Sequence, residues 1–110
     1  LHVGDLDGAS APAGARWNAT VVITVHDELH NPVAGVTVTG VWSNGATGSS
    51  SCVTDANGQC TVIKINLRTT INTVTFTITN ATKAGFTYTS ASNHDPDGDS
   101  TGTVIVIAKP

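Results

Sequence analysis

Apolar and polar residues alternate along most of this chain, the period-two pattern of a strand with one buried face. In "WNATVVITVH" the residues Trp17, Ala19, Val21, Ile23 and Val25 share one side, and Asn18, Thr20, Thr24 and His26 share the other. "NPVAGVTVTGVWS" repeats the pattern through Val36, Val38, Gly40 and Trp42 after a turn set by Asn31-Pro32. "TVTFTIT" repeats it through Val74, Phe76 and Ile78, and "TVIVIA" closes the chain. No stretch carries helical periodicity. The pattern predicts about seven short strands, near 2–4, 17–26, 34–42, 49–54, 59–66, 72–79 and 103–108, with 86–90 as a candidate eighth. Turn residues separate them at the spacing of an all-β antiparallel sandwich.

Composition agrees with that picture and narrows the partners. The 110 residues suit a single domain, 1–110, with one core. Charged residues make up 12% of the chain against 39% hydrophobic, and Thr, Ser, Asn, Gly and Val supply most of the remainder, a mix that favours strands and turns. The net charge is −3, and the basic residues Arg16, Lys64, Arg68, Lys83 and Lys109 are scattered, so no basic stripe offers itself to nucleic acid. Apolar runs such as "VIVIA" at 104–108 are too short to cross a bilayer, and a soluble domain without membrane insertion is expected. The chain lacks an initiating Met and ends abruptly in "AKP", which reads as a piece of a longer protein whose neighbouring domains are its first partners.

"CVTDANGQC" has the form of a hairpin, with Asp55-Ala56-Asn57-Gly58 as its turn. If Thr54 opposes Gly58, Cys52 stands opposite Cys60 on the neighbouring strand, and a disulfide closing so short a loop is worth roughly 2–3 kcal/mol. Two reduced thiols in a cytosolic sheet are the alternative. The spacing excludes a CxxC redox motif, and two thiols alone make a poor zinc site.

The segment "NPVAGVTVTGVWSNGATGSSSCVTDANGQCTV", about a third of the chain, resembles the middle of bacterial immunoglobulin-like domains of the invasin and intimin type, where a "PVAGVTVT" strand precedes a "TDANGQATV" hairpin. The cysteine pair and the acidic ends depart from that pattern. The ends "HVGDLDG" and "NHDPDGDS" are also similar to modules in the C-terminal parts of large secreted bacterial proteins, including subtilisin-like proteases. The resemblance implies an immunoglobulin-like sandwich, secreted or displayed at the cell surface.

Five of the eight acidic residues fall in two clusters, Asp5 and Asp7 in "GDLDG" and Asp95, Asp97 and Asp99 in "DPDGDS". Like charges so close repel, and a fold that holds them together calls for a cation. Calcium, which takes carboxylate, carbonyl and water oxygens, suits them better than magnesium. The alternate spacing resembles the first half of an EF-hand loop but is not one, since Gly98 is fourth and Val106 stands where the bidentate glutamate belongs. In an immunoglobulin-like sandwich the start of the first strand lies at the same end as the loop joining the last two, so a shared ion would tie the chain's ends together. Solvated Asp-Gly-Pro turns are the competing explanation.

"HDELH", His26 to His30, mimics a helical zinc-protease motif, but its glutamate is third and Asn-Pro follows at once, so no useful helix forms. Imidazoles of His2, His94 and the 26–32 turn could meet at one end and ligate zinc or copper, although histidines in a polar β protein are commonly surface residues. No serine lies in a nucleophile-elbow context. Trp17 and Trp42 fall on the apolar phase and belong in the core, while Phe86, Tyr88 and Trp17 are the aromatics available to stack on sugar rings. The two "NAT" patterns at Asn18 and Asn80 are expected by chance in a chain so rich in Asn and Thr.

The expectation is thus a non-catalytic extracellular module, a spacer, adhesion or accessory domain, stiffened by a Cys52–Cys60 disulfide and by calcium at Asp5, Asp7, Asp95, Asp97 and Asp99. Its partners beyond the parent protein would be a cell-surface protein or polysaccharide. The alternative is a carbohydrate-binding module appended to a secreted hydrolase.

Overall fold

Alternation in sequence becomes alternation in burial. Trp17, Ala19, Val21, Ile23 and Val25 are all 1% exposed or less, whereas their neighbours on the strand remain partly open to solvent. The computed structural model describes residues 1–110. Its strands are β1 (His2–Ala13), β2 (Arg16–His26), β3 (Thr37–Ser43), β4 (Ser49–Val53), β5 (Gln59–Arg68), β6 (Thr73–Thr82) and β7 (Val104–Ala108), and a single 3-10 turn covers Ser90–Ser92. They form two antiparallel sheets, ordered β1-β2-β5 and β4-β3-β6-β7. This is an immunoglobulin-like sandwich in which β4 sits at the edge beside β3 rather than beside β5. No helix is long and apolar enough to cross a membrane.

The inner faces meet in one cluster of 21 buried residues drawn from both sheets. Gly40 occupies a core-facing position of β3 because a Cβ there would lie 2.3 Å from Cζ of Phe76. The missing side chain lets Phe76 reach Trp42, with ring centroids 4.7 Å apart.

Three sequence expectations change. β1 runs to Ala13 instead of stopping near residue 4. Its outer half, "GASAPA", carries no apolar alternation because it is an edge with little to bury, a place where Pro12 is tolerated. Residues 86–90 form no strand. They run as a strap across the start of the chain, where Thr89 N–H donates to the Leu1 carbonyl (2.8 Å) and the Leu1 amino group donates to the Thr87 carbonyl (2.6 Å).

The third change concerns the cysteines. Thr54 does not oppose Gly58, and β4 and β5 are not a hairpin but belong to different sheets. Thr54 N–H donates to the Val36 carbonyl (2.9 Å), holding the end of β4 to its own sheet, while the Gly58 carbonyl accepts from Val25 N–H (2.8 Å) in the other. Between them Asp55 Oδ1 accepts from Asn57 N–H (2.8 Å) and Gln59 N–H (3.1 Å) and shapes the crossing. Cys52 and Cys60 are disulfide-bonded, Cα atoms 5.7 Å apart, so the bridge joins the two sheets.

Candidate metal centres at one end of the sandwich

The β6–β7 loop is stitched to the start of β1 through both backbone groups of Val3. Asn93 Oδ1 accepts from Val3 N–H (2.8 Å), and His94 N–H donates to the Val3 carbonyl (3.1 Å). The Asn93 amide also donates to Tyr88 Oη (2.7 Å) and Thr103 Oγ1 (3.0 Å), which fixes its own position. Directly after Val3 the β1–β2 register shifts, a bulge centred on Gly4. Beyond it Leu6 is fully buried, and Asp5 and Asp7, on the opposite face, emerge beside the loop.

There the two acidic segments converge. Carboxylate oxygens of Asp5, Asp7, Asp97 and Asp99 lie within 4.8 Å of one another. Asp95 organises the loop beneath them. Its Oδ1 accepts from Asp97 N–H (2.9 Å) and Gly98 N–H (3.3 Å), and its Oδ2 accepts from the Ser100 hydroxyl. The crowding shows in the protonation equilibria. Burial, followed by hydrogen bonding and repulsion from Asp95 and Asp7, pushes Asp5 up to about 7. Burial and the neighbouring Asp95 raise Asp99 to about 6. Asp97 is raised chiefly by Asp7. Burial would also raise Asp95, but the hydrogen bonds it accepts, from Ser100 foremost, hold it down at about 2. Buried Asp5 Oδ1 has no hydrogen-bond partner. Oxygen-rich, anionic and hard, this donor set has the chemistry that calcium takes.

A second group forms on the other side of the Gly4 bulge. His2 and His26 are cross-strand partners on β1 and β2. The 26 ring fits because residue 4 has no side chain, since a Cβ there would lie 2.1 Å from His26 Nδ1. In the β2–β3 loop Asp27 Oδ1 accepts from Leu29 N–H and Asn31 N–H (both 2.9 Å), and these bonds, that from Asn31 backbone first, lower its pKa. The turn so closed places His30 in the left-handed region, φ 62°, and returns its ring toward β1. His94 completes the set from the β6–β7 loop. Ligand nitrogens of all four lie within 4.8 Å of one another. Burial, then the other three imidazoles, lowers the pKa of His2, and burial followed by His30 and His94 lowers that of His26. His2 and His26 therefore favour the neutral form that binds metals.

The sequence pointed to both acidic segments and to the shared end of the fold. It did not show that all four histidines would meet, nor the part played by Asn93. His2 is 4% exposed, a core residue by burial, against the surface placement expected of such histidines.

The aromatics divide otherwise than a sugar platform requires. Trp17, Trp42 and Phe76 are buried, with Trp17 Nε1–H donating to the Arg68 carbonyl (3.1 Å) and Trp42 Nε1–H to Ser50 Oγ (2.9 Å). Tyr88 is half-buried against the core, which leaves Phe86 alone well exposed, with Lys83 Nζ 5.4 Å from its centroid. No family model matches the chain, and no curated protein or solved structure matches it either.

Proposed function

We propose that this chain is a non-catalytic extracellular module, a spacer, adhesion or accessory domain of a larger secreted protein, whose ends are locked by calcium. The observation that carries the reading is the convergence of Asp5 and Asp7 from the head with Asp97 and Asp99 from the tail. Their mutual repulsion and the raised pKa of Asp5 support a site that is destabilised when ionised without a counter-ion and is stabilised on binding a divalent ion. The intersheet disulfide supports an oxidising compartment. The resemblance of residues 31–62 to invasin-type repeats supports a surface or secreted setting, with neighbouring domains, a cell-surface protein or a polysaccharide as partners. Burial of three of the five aromatics weighs against the carbohydrate-binding alternative.

The test is thermal unfolding of metal-free protein with and without calcium. A ligand at a hundred times its dissociation constant stabilises the folded state by about 2.7 kcal/mol, an upward shift on the order of 10 °C for a domain this size. The shift is expected in the wild type and lost in the Asp5→Asn, Asp97→Asn double variant. A melting temperature indifferent to calcium would overturn the reading.

A further inference from the structure

The four imidazoles form a more regular figure than chance surface histidines would. Centroids of His2, His30 and His94 make a near-equilateral triangle with sides of 5.3, 5.2 and 5.4 Å. His26 stands above it, 6.0 Å from His2, 6.0 Å from His30 and 6.4 Å from His94. Zinc–nitrogen bonds of about 2.0–2.1 Å put a bound imidazole centroid about 3.2 Å from the metal, so rings at tetrahedral corners stand about 5.2 Å apart. The triangle already has that dimension, and only His26 must move inward. A square-planar set would show two opposite separations about 1.4 times the other four, and none of the three opposite pairs does.

We propose that His2, His26, His30 and His94 form a closed tetrahedral zinc site, separate from the carboxylate cluster. Neutral nitrogen donors select against calcium and magnesium, and the tetrahedral figure selects zinc over copper(II) and nickel(II). Both cysteines are consumed by the disulfide, so imidazole is the soft-metal ligand this chain has to offer. The surroundings are those of a built site. His2 is 4% exposed, and its Nε2 is buried without any hydrogen-bond partner, a cost that coordination removes. His94 Nδ1 lies 3.1 Å from the Ser92 carbonyl, which can only accept, so Nδ1 carries the proton and Nε2 is free to coordinate. Asp27 serves as a positioning residue through the turn that aims His30. With four protein ligands and no open position the ion is structural, and it pins β1, β2 and both adjoining loops together.

The experiment is a titration of the metal-free chain with zinc, read by calorimetry, and with cobalt(II), read by its visible spectrum. One zinc per chain and the intense absorption of tetrahedral cobalt(II) are expected. His30 is exposed, so His30→Ala should fold and still lose zinc affinity by about tenfold or more, the scale on which disturbing a ligand's support already acts. His94→Ala should behave alike, and Asp5→Asn with Asp97→Asn should keep zinc binding intact. Zinc binding unchanged in both histidine variants, no stoichiometric binding, or a weak octahedral cobalt spectrum would each overturn the proposal. None of these outcomes depends on the calcium response of the carboxylates, which is read in separate variants.

Discussion

Thr54 is 4% exposed, and its hydroxyl donates to the Val33 carbonyl (2.7 Å) and accepts from Val36 N–H (2.9 Å). It supplies the hydrogen bonds that the irregular stretch before β3 cannot find in a ladder. Thr54→Val keeps the shape and strands both backbone groups, so a loss of about 1–3 kcal/mol is expected. Urea denaturation measures it, and an unchanged midpoint would show that solvent reaches those groups. Nothing in "VTDANG" distinguishes this threonine from its many neighbours, because its value lies in a partner 18 residues away. The same holds for Asn93, whose three bonds reach residues 3, 88 and 103. His26 and His30 stand in "HDELH", where no helix could bring their rings together; a strand end and a turn closed by Asp27 do so instead.

β4 and β5 illustrate how a local pattern can point to the right bond by the wrong route. Turn chemistry at Asp55–Gly58 is read correctly from the sequence, and so is the cysteine pairing. The assignment of the two strands to opposite sheets is decided by which neighbours they find, Thr37–Val41 for β4 and Arg16–Thr24 for β5. The bridge therefore holds the layers together at one edge. Replacing both cysteines by alanine should lower unfolding free energy by roughly 2–3 kcal/mol while the fold persists. Intact mass after alkylation under denaturing, non-reducing conditions should show no modified thiol in the wild type, and two modified thiols would exclude the bridge.

Across the domain the carboxylate and imidazole clusters sit on either side of one bulge, and their ionisation couples to stability in opposite senses. Asp5 and Asp99, raised to about 7 and about 6, hold protons in the folded state that the unfolded chain releases near its ordinary value of 3.8. Their contribution is fully present below that value and is lost as pH rises through about 6 to 7. His2 and His26 are lowered, so theirs is present above the ordinary 6.5 and lost as pH falls. Between pH 6.5 and 8 the Asp5 contribution weakens metal-free protein as pH rises, and the two histidines oppose it. Denaturation midpoints should show a smaller decline in Asp5→Asn than in the wild type, and calcium should restore the wild type at the upper pH. An identical slope in both proteins would mean that Asp5 does not carry the effect.

What the sequence alone determined is the part written in nearest-neighbour terms: about seven strands, most of them by their alternation, the turn residues between them, the core faces of β2, β3 and β6, and the crowding of aspartates in two short segments. These follow from side-chain period and backbone preference, which act over a few residues. Tertiary structure decided the sheet each edge strand joined, the length of β1, and the meeting of four imidazoles from three stretches of chain. Those outcomes depend on strand pairing and register and, at the end where the imidazoles meet, on the bulge at Gly4, where one residue's shift moves every later side chain of β1 to the other face.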